Sequence, residues 1–532
     1  MVVRVVTAAD AAECERATIE AGTPAIELME RAGKAAATEI LACATDADMV
    51  SVITGPGNNG GDGWVVAREL ALAGLLVRVI ESAPPKTQEA LEARERALKP
   101  GGSRRIDLAD SLADEQIVVD ALLGTGSKGS PRGRIRELVT AINDAGDNGA
   151  QVFALDLPTG VDADLGANGQ SVRATHTVTF GLMKRGALLS RDRCGSIAVL
   201  DIGLQGEAVA DLPMLIDGAW AHERVPPIRF DAHKGTRGRI VVFGGGEGMA
   251  GAAILAGMGA LRSGAGLAHL VVHESNVESV HAGLPEAIVS AWSRDPAIVA
   301  SILSRADAIA IGPGLGQGRN ARNLVEQVLL ATAAPAVVDA DALNAFTGDP
   351  ASLAALLHGR PAVLTPHPAE LARILNVETD TVTNARFEIG SDLSRASGAA
   401  LLLKGAPTVV FAPNGDRYIS AAGTAALATG GSGDVLTGIT ATLLAHRLLS
   451  GRGKRTRLNT PARRRARDQK VGAHRIAEVA ATAAYFHGRA AELCGPVRGT
   501  TLSDVLQALP DAWNETIPPE RPGVLARLPA VA

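Results

Sequence analysis

The sequence predicts an α/β protein of two domains, each built on a mostly parallel, doubly wound sheet with helices on both faces. Three observations carry that expectation. At 532 residues the chain exceeds what one hydrophobic core organises, since single cores stop growing near about 250–300 residues. Short apolar runs alternate with longer helix-patterned segments through both halves. The alternation lapses around Asp211–Arg229, where Pro213, Pro226 and Pro227 interrupt it. Domains are therefore expected over 1–215 and 225–532.

In chain order, Ala25–Leu41 carries apolar residues at helical spacing (Ile26, Leu28, Met29, Ile40) and reads as an entry helix. From Val50 onward SVIT, VRVI, IVVDALL, VFALDL and TVTFG read as strands, with helical segments such as Trp64–Ala73 and Ile135–Ala145 between them. The second half repeats the rhythm in RIVVFGGG, LAHLVV, AIAIGPG, PAVVDADAL, PAVLTPH, ALLLKG and TVVFAP. No motif recurs between the halves, so they read as unrelated domains. Residues 448–473 are dense in Arg and Lys, with Asp468 to offset them, and are expected to form a disordered, solvated insertion.

Composition narrows the function. Hydrophobic residues at 46% supply globular cores, and aromatics at 3% make those cores aliphatic. A net charge of −5 gives no footprint for nucleic acid or a membrane surface, so small molecules are the expected partners. Cys14, Cys43, Cys194 and Cys494 are scattered without paired spacing, so neither a disulfide framework nor a zinc site is indicated. No apolar run of signal or membrane-spanning length follows Met1, and a cytoplasmic location is expected.

Three strand-end loops of the first half carry chemistry. GPGNNGGDG, Gly55–Gly63, lies between the strand SVIT and the helix WVVAREL, where backbone N–H groups meet an anion. Asn58, Asn59 and Asp62 add side-chain oxygens that a plain phosphate cradle does not need. Asp120 ends the next strand before a second glycine loop, Gly124–Ser130, and Asp156 and Thr159 end a third. Oxygens from Asn59, Asp120 and Thr159 suit a hard cation, and a single carboxylate among them favours a monovalent one. Lys184 is available to balance charge.

Together GNNGGDG, DALLGTG and DLPTG, followed by FGLMKRG and VLDIGL, resemble the epimerase domain of NAD(P)H-hydrate repair proteins over Val5–Leu204. The resemblance implies a Rossmann-like three-layer α/β/α fold. It implies hydrate contacts from Asn58, Asn59, Gly60, Gly61 and Asp62, from Gly124, Thr125, Gly126, Ser127, Lys128, Gly129 and Ser130, and from Asp156, which is also expected to aid proton transfer. It implies potassium on Asn59, Asp120 and Thr159. Thr159 stands where the family commonly has serine, and the hydroxyl oxygen is kept. Binding without turnover is the alternative, and intact Asp62, Asp120 and Asp156 argue against it.

In the second half, LATGGSGDVLTGITATLL sets Gly430, Gly431, Ser432 and Gly433 ahead of Asp434 and a long apolar helix. The amides of Gly431–Asp434 are expected to form an anion hole at the helix start, and Asp434 is a general-base candidate for phosphoryl transfer. His367 lies between Pro366 and Pro368 after a strand, and Asp339 and Asp341 either orient Mg²⁺ or cap a helix. HKGTRGR, GMAGAAILAGMGALRSGAG, GPGLG, VVDADALN, TPHPAE, LLKGAPT and GGSGD, in that order, resemble the ribokinase-like dehydratase domain of the same repair family over Phe230–Leu509. The resemblance implies hydrate contacts from Ala252, Gly316, His367 and Asp434. It implies adenine-nucleotide contacts from Lys404, Gly405, Ala406, Pro407, Thr408 and Gly433.

The implied function is repair of hydrated NADH and NADPH. The first domain interconverts the R and S hydrates with K⁺; the second dehydrates the S form with ADP as co-substrate and Mg²⁺, releasing NAD(P)H, AMP and phosphate. The partners are the hydrates and an adenine nucleotide, with no nucleic acid, no membrane and a homo-oligomer expected. A small-metabolite kinase using the same GGSGD machinery and a scaffold with vestigial sites are the competing readings.

Overall fold

The computed structural model describes residues 2–44, 47–99, 106–113, 115–205, 209–450 and 472–531. The expected basic segment falls largely outside these residues. The chain divides into one unit of Met1–Leu215 with Pro518–Ala532 and a second of Ile216–Ile517.

The sheet of the first unit runs, edge to edge, through Val524–Leu528, Ser196–Leu200, His176–Phe180, Gln151–Leu155, Ile117–Ala121, Met49–Thr54, Leu76–Glu81 and Ile106–Leu108. All neighbours pair in parallel except the first two strands, which are antiparallel. Parallel strands covered on both faces read as continuous apolar runs, and Met49–Thr54 is buried from Val50 onward. On one face Val50, Val52, Val77, Val79 and Val119 pack against Ile40, Trp64, Leu70 and Ala93 of the helices Ala25–Cys43, Asn58–Leu72 and Gln88–Leu98. On the other, Ile53, Ile80, Val118 and Val152 meet Leu138, Val139 and Ile142 of Gly133–Asp147. Three layers result, each central strand feeding both cores through its alternating side chains.

The C-terminal strand corrects the contiguous partition 225–532. Val524–Leu528 pairs with Ser196–Leu200 in the first sheet, with Ile197 opposite Leu528 and Val199 opposite Ala526. Glu39 fixes it: this carboxylate, only 5% exposed, accepts from Arg527 at 2.7 Å and from Arg521 at 3.0 Å. A reading by segment order assigns a tail to the domain it follows, and the partner here lies more than 300 positions upstream.

The second unit holds seven parallel strands in the order Ile288–Ala291, Leu267–Val272, Arg239–Phe243, Ala308–Ile311, Ala336–Val338, Ala362–Leu364 and Ala400–Leu403. The antiparallel strands Thr408–Phe411 and Arg417–Ser420 follow. Helix Ser432–Ser450 lies against helix Ala250–Arg262 so closely that a Cβ on Gly438 would stand 2.0 Å from the Ala256 carbonyl oxygen. That approach carries the glycine-rich segment before the helix to the carboxyl ends of the strands, where open α/β sheets bind ligands.

The buried Glu39 cluster makes a measurable demand. Glu39→Ala removes the buried acceptor of Arg521 and Arg527, leaving Arg527 with Glu520 at 3.4 Å, and should lower the stability of the first unit by about 1–3 kcal/mol, read by urea unfolding. Removal of residues 518–531 should cost more, because the strand pairing is lost as well.

Candidate active sites

In the first unit, the three glycine-bearing loops meet at a cavity of about 580 Å³. Its wall includes Asn58, Asn59, Asp62, Gly124, Thr125, Gly126, Ser127 and Asp156. Gly60 and Gly61 point elsewhere and shape the wall from behind. A Cβ on Gly60 would lie 1.9 Å from the Gly55 carbonyl oxygen, so only glycine lets the loop fold back on itself there. Lys128, Gly129 and Ser130 lie outside the lining and are exposed, with the Ser130 hydroxyl donating to the Asn168 carbonyl at 3.3 Å. Sequence reasoning missed Glu15, Leu28, Met29, Thr87, Glu89 and Phe180, which also line the cavity. Phe180 opens the FGLMKRG motif but carries no polar group that marks it for a site; the other segments bear no glycine motif, and only the folded sheet brings them to its edge.

Asp156 is the most constrained carboxylate of this cavity. Its backbone is left-handed, φ +64°, which costs a non-glycine residue about 1–2 kcal/mol. The strain is held by surrounding bonds: its N–H donates to the Val178 carbonyl at 2.7 Å and its Oδ2 accepts from the Thr125 N–H at 3.2 Å. The Lys184 ammonium bonds Oδ1 directly, and the same ammonium donates to Thr179 Oγ1 at 3.0 Å. Lys184 thus balances Asp156.

Asp120 is fully buried, and among the described residues no cation pairs with it. It accepts from the Thr159 N–H at 2.8 Å, the Thr159 hydroxyl at 2.7 Å and the Leu122 N–H at 3.2 Å. Burial outweighs these bonds and pushes its carboxyl up to about 6. Asn59 is buried with both side-chain polar atoms unpartnered, an arrangement that costs free energy unless a ligand fills it. Asp62, half-buried on the wall, accepts no hydrogen bond among the described residues. Desolvation, then the Asp156 and Glu15 carboxylates, hold it well above the usual carboxylate range, and Lys184 offsets this only in part.

In the second unit a chain of contacts gathers the expected residues. Asp339, 1% exposed, accepts from Lys404 Nζ at 2.8 Å and from the Thr437 hydroxyl at 2.7 Å. Lys404 Nζ also lies 3.7 Å from Glu370 and close behind Gly433, where a Cβ would stand 3.1 Å away. Burial works against the Lys404 charge, but Asp339 and Glu370 more than offset it and hold the ammonium above its ordinary range. His367 caps helix Pro368–Leu375, its Nδ1 accepting from the Glu370 N–H at 3.3 Å while Nε2 faces the Glu370 carboxylate at 3.3 Å. Desolvation and then Lys404 lower its basicity and favour the neutral ring. The Gly316 N–H donates to Asp341 at 2.9 Å, and a Cβ on Gly314 would stand 2.8 Å from that of Ala252, so both join the same strand ends.

The helix start at Gly431–Asp434 differs in one respect from the expected four-amide hole. The Ser432 N–H is already taken by the Thr429 carbonyl at 3.2 Å, which leaves the amides of Gly431, Gly433 and Asp434, without backbone acceptors among the described residues, to meet a ligand. Asp434 itself is half-buried and unpartnered among the described residues. Desolvation, then repulsion from Asp339, pushes its carboxyl up to about 7 despite Lys404. Gly405 and Ala406 are exposed at the turn after Lys404, whose own N–H donates to the Pro366 carbonyl at 2.9 Å; the Thr408 hydroxyl closes the turn on the Gly405 carbonyl at 3.0 Å. Among the described residues no three His, Cys, Asp or Glu side chains are grouped to hold a metal ion. No described helix is long and apolar enough to cross a membrane.

Comparison with known proteins follows these boundaries. Residues 25–186 match the family described as YjeF-related protein N-terminus, and residues 240–510 match the NAD(P)H-hydrate dehydratase family. The bifunctional NAD(P)H-hydrate repair enzyme Nnr of Moorella thermoacetica is 38% identical over 477 residues, 84% of this chain and 89% of that protein. The enzyme of the same name from Escherichia coli K12 is 37% identical over 437 residues, 80% of this chain and 82% of that one. The solved ADP/ATP-dependent NAD(P)H-hydrate dehydratase of Bacillus subtilis, co-crystallised with ATP and Mg²⁺, aligns with a TM-score of 0.44 at 28% identity, covering 56% of this chain and 96% of that one.

Removing one partner of a buried ion pair strands the other. Asp339→Ala should therefore destabilise the second unit by about 3 kcal/mol, with Asp339→Asn milder because its amide oxygen can still accept from Lys404 while its NH2 donates to the Thr437 hydroxyl; thermal unfolding of the two variants checks the order.

Proposed function

The chain belongs to the bifunctional NAD(P)H-hydrate repair enzymes, and from that premise we propose how its two sites divide the work. The carrying observation is Asp434: a carboxyl with no partner among the described residues, at a helix start with uncommitted backbone amides, near a lysine already bound to a different aspartate. In the dehydratase site Asp434 takes the proton of the hydrate hydroxyl as that oxygen attacks the terminal phosphorus of ADP. The bridging P–O bond breaks and AMP leaves. The amides of Gly433 and Asp434 face the charge that builds on the transferred phosphoryl group. The ring nitrogen then expels phosphate, and loss of a proton from the neighbouring carbon restores the dihydropyridine.

Ala252, Gly316 and His367 surround the hydrate, and Lys404, Gly405, Ala406, Pro407, Thr408 and Gly433 hold the nucleotide. The neutral His367 ring suits a polar contact to an uncharged nicotinamide. Mg²⁺ fits as an ion that would arrive on the nucleotide phosphates, with Asp339 and Asp341 as the candidate carboxylates to orient it, since among the described residues there is no dedicated cage. It would screen the phosphate charges.

In the epimerase site, Asn58, Asn59, Asp62, Gly124–Ser127 and Asp156 meet the hydrate. Asn59, Asp120 and Thr159 fit potassium: the amide oxygen of Asn59 is buried without a donor and Asp120 is buried without a cation. A monovalent ion there would supply the missing positive charge and order the three loops. The same reading keeps the chain in the cytoplasm, where the reduced cofactors reside.

Three outcomes test this reading. Asp434→Asn should lower ADP-dependent recovery of NADH absorbance from the S hydrate by at least about a thousandfold while epimer exchange continues; accumulation of a stable phosphoester by the wild-type chain would instead support the kinase reading. Asp434 must be ionised to act, so kcat/KM for dehydration should rise about tenfold per pH unit below about 7 and level off above it. Potassium at tenfold its Kd should stabilise the first unit by about 1.4 kcal/mol over choline at equal ionic strength, and Asp120→Asn should remove that increment.

A further inference from the structure

Epimerisation needs one group to accept a proton and another to supply one, and the first cavity carries carboxyls in two unlike settings. Asp156 is committed on both oxygens, to Lys184 and to the Thr125 N–H. Asp62 faces the same cavity with no hydrogen-bond or ion-pair partner among the described residues. Its backbone is rigid: it lies in helix Asn58–Leu72, one residue after Gly61, whose position is closed by Met29 and Ala90, and its carbonyl lies 3.1 Å from the Cβ position of Gly33 on the packed helix. The helix N-terminus nearby favours the ionised form. Glu15 from helix Ala8–Glu20, Asp156 from the third loop and the desolvated wall oppose it, and Lys184 is drawn to Asp156. Opposition prevails.

We propose that Asp62 is the proton donor of the epimerase, acting with the Asp156 carboxylate that lines the same cavity. The inference rests on the epimerase reading of this site. The hydrate is a hemiaminal, with hydroxyl and ring nitrogen on one carbon. Asp156 removes the hydroxyl proton as the carbon–oxygen double bond forms. The carbon–nitrogen bond breaks toward the nitrogen, whose new electron pair takes the proton of Asp62. The ring is then open, an aldehyde at one end and an N–H enamine at the other. Rotation about the adjacent carbon–carbon bond presents the opposite aldehyde face; the nitrogen adds there and returns its proton to Asp62, while the oxygen recovers its proton from Asp156. Atoms and electrons balance with no oxidant and no added reactant. One carboxyl bonded to an ammonium and one facing the same cavity without a cation among the described residues are the arrangement such a step requires.

The test measures R–S exchange of the hydrate by chromatography, on the full-length protein without nucleotide. Asp62→Asn should lower kcat for exchange by about 10²–10⁴-fold with KM changed less than about threefold, and Asp62→Glu should recover part of the loss. Urea unfolding of the first unit in the same preparation, with a midpoint near that of the wild type, reports that the unit carrying Asp62 is folded; Asp62→Ser serves if the Asn variant is not. Exchange by Asp62→Asn within about threefold of wild type would overturn the proposal. So would a loss confined to KM, or one cured by raising potassium, since Asp62 would then act through binding or through the ion. A wild-type chain with no exchange at all would instead defeat the underlying reading of the cavity.

Discussion

In each unit one lysine ammonium is bonded to one aspartate and thereby leaves a second carboxyl unpaired. Lys184 holds Asp156 and leaves Asp62; Lys404 holds Asp339 and leaves Asp434. A desolvated carboxyl without a cation is costly as an anion, so its proton affinity rises toward the range where it trades protons at neutral pH. A second lysine at either place would give a firmer ion pair and a poorer acid or base.

The backbone makes that economy of cations tolerable. Thr125 N–H serves Asp156, Thr159 N–H and Leu122 N–H serve Asp120, and Gly316 N–H serves Asp341. These donors exist only because the strands end in loops whose amides are not consumed by a ladder. Glycine permits the tightest of them: at Gly60 the chain returns to within contact of Gly55, and at Gly438 one helix settles onto another. The local strain at Asp156 is carried by the same bonds that position its oxygens.

Much of this was legible in the sequence because the motifs lie in fixed relation to strand ends. SVIT before GPGNNGGDG, or PAVL before TPHPAE, places a loop at a sheet edge before any coordinates are known. The strand and helix spans follow hydrophobic period, and the observed Met49–Thr54 and Ala25–Cys43 extend the expected segments by a few residues. Three things were not legible. Glu15 and Glu89 reach the first cavity from helices that bear no motif. The pairing of Lys184 with Asp156 and not with Asp120 is decided by loop geometry. The destination of Val524–Leu528 depends on an edge strand and a buried Glu39 far upstream, and no local pattern points to either.

That last strand bears on how the protein is made. Ribosomes add about 5–20 residues per second, so once Leu215 has emerged, translation of Ile216–Ile517 occupies roughly 15–60 seconds before the closing strand exists. Throughout that interval Ser196–Leu200 stands as an unpaired border, open to any extended polypeptide that passes. The amino-terminal half can collapse early, but it is sealed last, and a nascent chain that stalls within the second half leaves the first with an adhesive rim.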